Sequence, residues 1–227
     1  MRVNKKGADR IRHGHLWIYR SDVTEVEADG GSIVSVTDER GNFVGQGLYS
    51  DASQIALRFL TQSREEIDRE WWRQKIRDAV ARRHIPPDTN AYRVIYSEGD
   101  LLPSLILDRY ADVLVLQTLS QGMDALKSTL VELLVEEFNP QAIVERNDAR
   151  VRELEGLPLI NATVFGNAPD ELETLQHGLR FLVAPSGGQK TGSFLDQREN
   201  RIAAQDAAET TNRGRALDCF TFNGAFA

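Results

Sequence analysis

The chain has 227 residues, 41% hydrophobic and 27% charged, with a formal net charge of -7, a composition that suits one large or two to three small globular domains. No apolar run approaches the roughly 20 residues that span a bilayer, and the basic N-terminus lacks the apolar stretch of a secretory signal, so a cytoplasmic protein with no membrane partner is expected. The single cysteine, Cys219, excludes an internal disulfide and a cysteine-rich metal site.

Charge is distributed unevenly. The first twenty residues carry six Lys or Arg against one Asp, while acids gather at 132–137 and 170–173. A basic field at the N-terminus is compatible with a nucleic-acid partner despite the negative total, although a merely solvated basic face explains it equally well.

In chain order, residues 32–37, 43–49 and 55–60 read as short antiparallel strands of a small barrel, the first two split by the turn-like stretch 38–42. Ser63 followed by Glu66 reads as a capping box, and Ile67, Trp71, Ile76, Ala79 and Val80 recur at helical spacing, which predicts a helix to about His84 that Pro86 and Pro87 stop. Residues 92–96, 105–107 and 113–118 then form a strand meander. A helix is predicted over 123–138, with Leu126, Leu130, Leu133, Leu134 and Phe138 on one face, and a short strand over 142–145. Together these make an α+β unit. Residues 166–173 read as a surface loop, 177–184 as a strand before a glycine-rich turn, 193–210 as a helix and 215–220 as a short apolar strand. There is no internal repeat and no low-complexity tract.

The last segment places Asp218 at a strand end before a loop containing Gly224. Such a junction suits a nucleotide-like ligand, because in a doubly wound sheet ligands bind beyond the carboxyl ends of the strands and glycine lets backbone amides approach. Asp218 would anchor a cationic part of the ligand and Phe220 and Phe222 would wall its pocket; the same pattern also occurs in α/β proteins without such a site. The Lys190-Thr191 pair invites a phosphate-loop reading, but Gln189 and Ala184 occupy the positions where that loop needs glycine. The polar run after it reads as an exposed helix start with local ion pairs.

These residues resemble a known family. Gln189-Lys190-Thr191-Gly192 to Asp196-Gln197-Arg198-Glu199-Asn200-Arg201, then Leu217-Asp218-Cys219-Phe220 and Asn223-Gly224-Ala225-Phe226, resemble the core signature of bacterial large-subunit (23S) rRNA cytosine-5 methyltransferases with an N-terminal PUA domain. Lys5-Lys6-Gly7-Ala8-Asp9-Arg10-Ile11-Arg12-His13-Gly14-His15-Leu16-Trp17-Ile18-Tyr19 resembles the opening of that PUA domain, and Glu98-Gly99-Asp100-Leu101-Leu102-Pro103-Ser104-Leu105-Ile106-Leu107-Asp108-Arg109-Tyr110 resembles the family's middle-domain motif. The blocks keep the family's order along the chain.

The resemblance implies a multidomain α/β and α+β protein: a PUA-like β-barrel over 1–70, an α+β middle domain over 71–184, and over 185–227 the start of a Rossmann-like class I methyltransferase domain. It implies S-adenosylmethionine as cofactor, with Asp218, Phe220, Thr221, Phe222, Asn223 and Gly224 in the first cofactor loop and Phe194 and Gln197 beside it. Ribosomal RNA is the implied partner, met by Arg10, Arg12, His15 and Trp17 in the PUA part and by Gln189, Lys190, Thr191 and Arg198 further on; Trp17 filling the barrel core is an equal alternative. A homodimer is a further implication.

Two departures are small in volume: Thr221 stands where the family often has cysteine, and Ala225 where it often has glycine. The larger departure concerns catalysis, because cytosine C5 becomes nucleophilic only after a cysteine thiolate adds to C6. The family places its cysteines beyond the first cofactor loop, so no catalytic residue is expected here, and Cys219 reads as a core thiol. A non-catalytic RNA-binding adaptor, or a methyltransferase of another RNA, are the alternative readings.

Overall fold

The computed structural model describes residues 1–188, 190–210, 214–215, 217–219 and 224–226. The N-terminal sheet contains β1 (Arg2–Val3), β2 (Trp17–Tyr19), β3 (Val23–Glu25), β4 (Ile33–Thr37), β5 (Phe43–Tyr49) and β6 (Ile55–Thr61), with α1 (Lys5–Arg12) after β1. Its order is β2-β6-β5-β4-β1-β3, around a core that includes Val3, Ile11, Ile18, Val36 and Leu57. The three strands expected from residue 32 onward are present. The others are two or three residues long, too short to show period-two alternation. The Asn4 side chain caps α1 by accepting from the Gly7 amide, and Gly7, Ala8 and Ile11 form its buried face.

The next helix, α2 (Arg69–Ala81), starts later than the Ser63 capping box predicts. Two local bonds divert the chain: the Ser63 amide donates to Thr61 Oγ1 at 3.1 Å and the Thr61 hydroxyl to Glu65 at 2.5 Å. The cap is Asp68, which accepts from the Trp71 amide at 2.8 Å.

The middle sheet comprises β7 (Ala91–Tyr96), β8 (Leu105–Tyr110), β9 (Val113–Thr118), β10 (Ala142–Asn147) and β11 (Ile160–Gly166), in the order β11-β10-β9-β8-β7. Only β9 and β10 pair in parallel, and the crossover between them is α3 (Gln121–Ala125) and α4 (Lys127–Phe138). The expected single helix is therefore two, meeting at Leu126, next to an Asp124 carboxylate held by Thr118 and Arg152. On one face Trp72, Ile76, Leu130, Leu133 and Leu134 pack against Leu107, Leu114, Leu116 and Ile143. On the other, Val183 and Leu172 cover Ala91, Tyr110 and Val115. The edge strand β11 was not predicted, since its side chains are mostly exposed and carry no alternation.

The opposite layer is a hairpin of β12 (Leu172–Gln176) and β13 (Leu179–Val183). The strand expected from residue 177 begins two residues later because His177 and Gly178, with φ of 50° and 74°, make the turn. The helix expected from 193 is α5 (Arg198–Thr210), preceded by one 3₁₀ turn, Leu195–Gln197. The predicted terminal strand is not formed over its described part. Arg215, Leu217 and Asp218 have no regular secondary structure, and Leu217 is 86% exposed. No described strand pairs with them, and an isolated strand leaves its hydrogen bonds to water. Cys219, expected in the core, is accordingly exposed.

The two large sheets are cemented together. Arg58 and Glu155, both nearly inaccessible, form an ion pair at 2.7 Å, and Gln121 donates to Asp51 at 2.8 Å. Gly122 lies so close to Leu48 that a Cβ would stand 2.7 Å from it. The acidic cluster at 132–137 faces a ladder of Arg69, Arg73 and Arg77 from α2, with contacts of 2.8 to 3.3 Å.

Candidate functional site

The N-terminal basic residues surround an open groove of about 810 Å³ along α1 and the turn after it, lined by Lys5, Lys6, Arg10, His13 and His15. The arginines are not free. Arg10 is paired with the buried carboxylate of Asp22 and sits 4.8 Å over the Tyr19 ring. Arg12 bonds Asp38 at 2.8 Å and Asp9 at 3.3 Å. Asp38 in turn is pulled down to about 2 by the Asn42 amide, helped by Arg12 and the backbone N–H groups of Asn42 and Arg40. Among the described residues Lys5 and Lys6 carry no ion pair, so they present the less compensated charge.

Trp17 does not fill the barrel core. Its indole Nε1 donates to Glu98 Oε1 at 2.9 Å, bridging to the middle domain, and the His15 ring stands edge-on to it at 6.1 Å. Glu98 belongs to the middle-domain block singled out in the sequence.

A second cavity, of about 710 Å³, opens where β7, β8 and β9 meet the segment 190–196; Tyr96, Ile106, Leu119, Arg83, Arg93 and Lys190 are among its walls. The segment has no regular structure until residue 195, and buried side chains of the sheet position it. Arg146, 4% exposed, donates to the Gly187 and Gly188 carbonyls at 2.6 and 3.2 Å. Thr191 donates to Asp108 at 2.5 Å and lies 3.2 Å from the Tyr110 hydroxyl, which also accepts from the Ser193 amide at 3.1 Å. Burial, with the Asp108 charge nearby, pushes the Tyr110 phenol well up. Asp108, fully buried, also holds Arg93 by two bonds of 2.8 and 2.9 Å.

This geometry reassigns one expected RNA contact. Thr191 is 1% exposed and its hydroxyl is committed to Asp108 and Tyr110, so it tethers the loop to the sheet instead of facing an RNA. Lys190 lies 2.9 Å from Asp196 and 4.4 Å over the Phe194 ring, and it holds Asp196 below the usual carboxylate range against the opposing effect of burial. Gln197 accepts from Asn200 at 2.9 Å, and Arg198 pairs with Glu199 at 2.8 Å. Behind them Arg201, 8% exposed, donates to Gln176 at 2.7 Å and stacks 4.9 Å over Phe181; burial lowers its pKa.

Asp218 is exposed, and Gly224 adopts a φ of +73° in a turn with open space where a Cβ would be. Gln189, Phe220, Thr221, Phe222 and Asn223 lie outside the described residues. Arg146 escaped the sequence reading, although an arginine inside an otherwise apolar strand was a usable signal, and Asp108 and Tyr110 lay in the middle-domain block that the resemblance marked without giving them a role.

Residues 1–62 match the family model of a PUA-like domain, and the whole chain overlays two solved methyltransferase structures. One is described as a SAM-dependent methyltransferase from Streptococcus mutans, with a TM-score of 0.80 at 17% identity over 100% of this chain and 58% of that one. The other, a methyltransferase complexed with SAH, gives a TM-score of 0.81 at 18% identity with the same coverage. The first 62 residues are thus PUA-like, and the chain as a whole shares the fold of the matched part of those two structures.

Among sequence relatives, the ribosomal RNA large subunit methyltransferase I of Shewanella amazonensis is 38% identical over 219 residues, 93% of this chain and 54% of that protein. The protein of the same name from Enterobacter sp. (strain 638) is 34% identical over 99% of this chain and 58% of its own length. The chain therefore spans a little over half the length of these relatives.

Proposed function

We propose that this chain belongs to an S-adenosylmethionine-dependent methyltransferase of large-subunit (23S) ribosomal RNA that forms 5-methylcytosine. The carrying observation is the identity of 34–38% to large-subunit rRNA methyltransferases sustained over 93–99% of the chain. In this reading residues 1–70 are the PUA RNA-binding domain, 71–184 the α+β middle domain and 185–227 the opening of the methyltransferase domain. In this reading the protein works in the cytoplasm as a homodimer, and Cys219 is not the catalytic thiol.

The described residues fit the cofactor in chemical type. Asp218 has an exposed carboxylate of the type that meets the methionine ammonium, Gly224 keeps its backbone open, and Phe194 and Gln197 offer an aromatic ring and an amide. When bound, the cofactor supplies an electrophilic methyl on a sulfonium. What the chain itself supplies is placement: Arg146, Asp108 and Tyr110 hold Gly187, Gly188, Thr191 and Ser193, and the N-terminal groove offers Lys5 and Lys6 to phosphates.

The test is genetic and chemical. Disrupting the gene and mapping 5-methylcytosine along 23S rRNA should remove one modified position, which re-expression restores. An unchanged map would overturn the reading, and loss of a methyl group at another base would leave the class and change the substrate atom.

A further inference from the structure

We infer that the cavity beside Tyr96 is a binding site for an unpaired nucleobase of an RNA strand, a site distinct from the N-terminal groove. The inference rests on the RNA-directed reading above. Tyr96 ends β7 and is 58% exposed, which leaves an aromatic ring facing solvent in a cavity of about 710 Å³. That volume is in the range of ligand sites. Ile106 and Leu119 give it apolar walls.

The polar groups beside the ring are unusually fixed. Arg93 stands 5.5 Å from the Tyr96 centroid while two bonds lock it to buried Asp108. Arg83 donates to the Arg93 carbonyl at 3.0 Å and to buried Asp100, and that same carboxylate accepts from the Tyr96 amide at 2.6 Å. Both guanidiniums keep part of their side chains in solvent, 22% and 30%.

This pattern selects the ligand's chemistry. Arg93 is balanced by Asp108 and Lys190 by Asp196, while Arg83 faces Asp100, a carboxylate that it shares with Arg82 at 3.6 Å. A bare phosphate would gain little from such a wall. A neutral heteroaromatic ring gains a stacking partner in Tyr96 and oriented N–H donors for its carbonyl and ring-nitrogen acceptors. The position argues for RNA as the bearer of that ring. Two residues after Tyr96, Glu98 holds the Trp17 indole of the N-terminal domain, so one strand can run from the lysine groove to the cavity, and Lys190 of the signature block forms its far wall.

The experiment photocrosslinks the full chain to single-stranded 5-iodouridine oligoribonucleotides and locates the adduct by mass spectrometry, alongside binding by Tyr96→Ala, Tyr96→Phe and Lys5→Ala/Lys6→Ala. The expected result is an adduct on Tyr96 and affinity weakened on the order of tenfold by Tyr96→Ala, with Tyr96→Phe near wild type. Because Tyr96 is mostly exposed, its melting temperature should not change. If RNA binds but crosslinks only in the N-terminal groove and Tyr96→Ala binds normally, the cavity assignment falls while the RNA reading stands. If S-adenosylhomocysteine competes the Tyr96 adduct away, the cavity belongs to the cofactor and the assignment also falls. If the wild-type chain binds no RNA, both are overturned.

Discussion

The N-terminal groove and the cleft at Tyr96 are both built from arginines held by buried aspartates, yet they are stabilised in opposite ways. The groove stands on α1, a helix with its own cap at Asn4 and its own buried face. The cleft leans on residues 187–188 and 190–194, which form no helix or strand and are held by Arg146, Asp108 and Tyr110 from strands 41 to 83 positions earlier. Local sequence shapes the first surface, and tertiary contacts impose the second. It follows that the cleft can be dismantled by changes that leave the groove intact.

The largest expected effect is that of Asp108→Ala. It strips Arg93 and Thr191 of their common partner and should cost about 2–4 kcal/mol of unfolding free energy, the scale for breaking a buried pair whose arginine keeps some solvent. Urea unfolding would measure it. Amide exchange should quicken at 190–194 and stay unchanged in α1; equal loosening of both would end the contrast.

Next is Arg146→Met, which leaves the Gly187 and Gly188 carbonyls without their donor. About 1–3 kcal/mol is expected, together with faster limited proteolysis within 185–194. Cleavage at the wild-type rate would show that the tether is dispensable.

Tyr110→Phe should cost about 1 kcal/mol at neutral pH. Its sharper signature is alkaline. The folded phenol titrates well above its ordinary value, so its contribution is fully present below about pH 10 and is lost as pH rises beyond that, where the unfolded chain ionises first. The variant should lose stability less steeply above pH 10 than wild type.

The smallest effect probes the groove. Asp38 is held down to about 2, so its contribution is present above about pH 4 and is lost as pH falls toward 2. Asp38→Asn should flatten that acid slope in thermal melts while leaving the cleft's exchange rates unaltered. A wild-type acid slope in the variant would mean that other carboxylates set it.

Legibility in the sequence followed the same contrast. β4 to β7 and β9 were readable because alternation or β-rich runs lie within single segments, and the helical periodicity of α2 and α4 was equally local. The short strands β1 to β3 and the exposed edge β11 hold their place through pairing partners, which no window of sequence contains. The start of α2 was misplaced because Thr61 offered Ser63 and Glu65 a competing set of bonds. The resemblance marked Lys190 and Thr191, but only the folded sheet gave Thr191 a tethering role and brought Arg83, Arg93 and Tyr96 around one cavity. Arg10 is a related case. Replacing it to test RNA contact would also strand the buried Asp22 carboxylate, so affinity and stability would change together.

The bridge from Trp17 to Glu98, backed by Arg58 with Glu155 and by Gly122 on Leu48, turns the two domains into a gauge. The lysines of α1 and the Tyr96 cavity are thereby held at one span and one angle, so a ligand long enough to touch both, such as the RNA proposed above, would be measured by its reach before any of its bases is read.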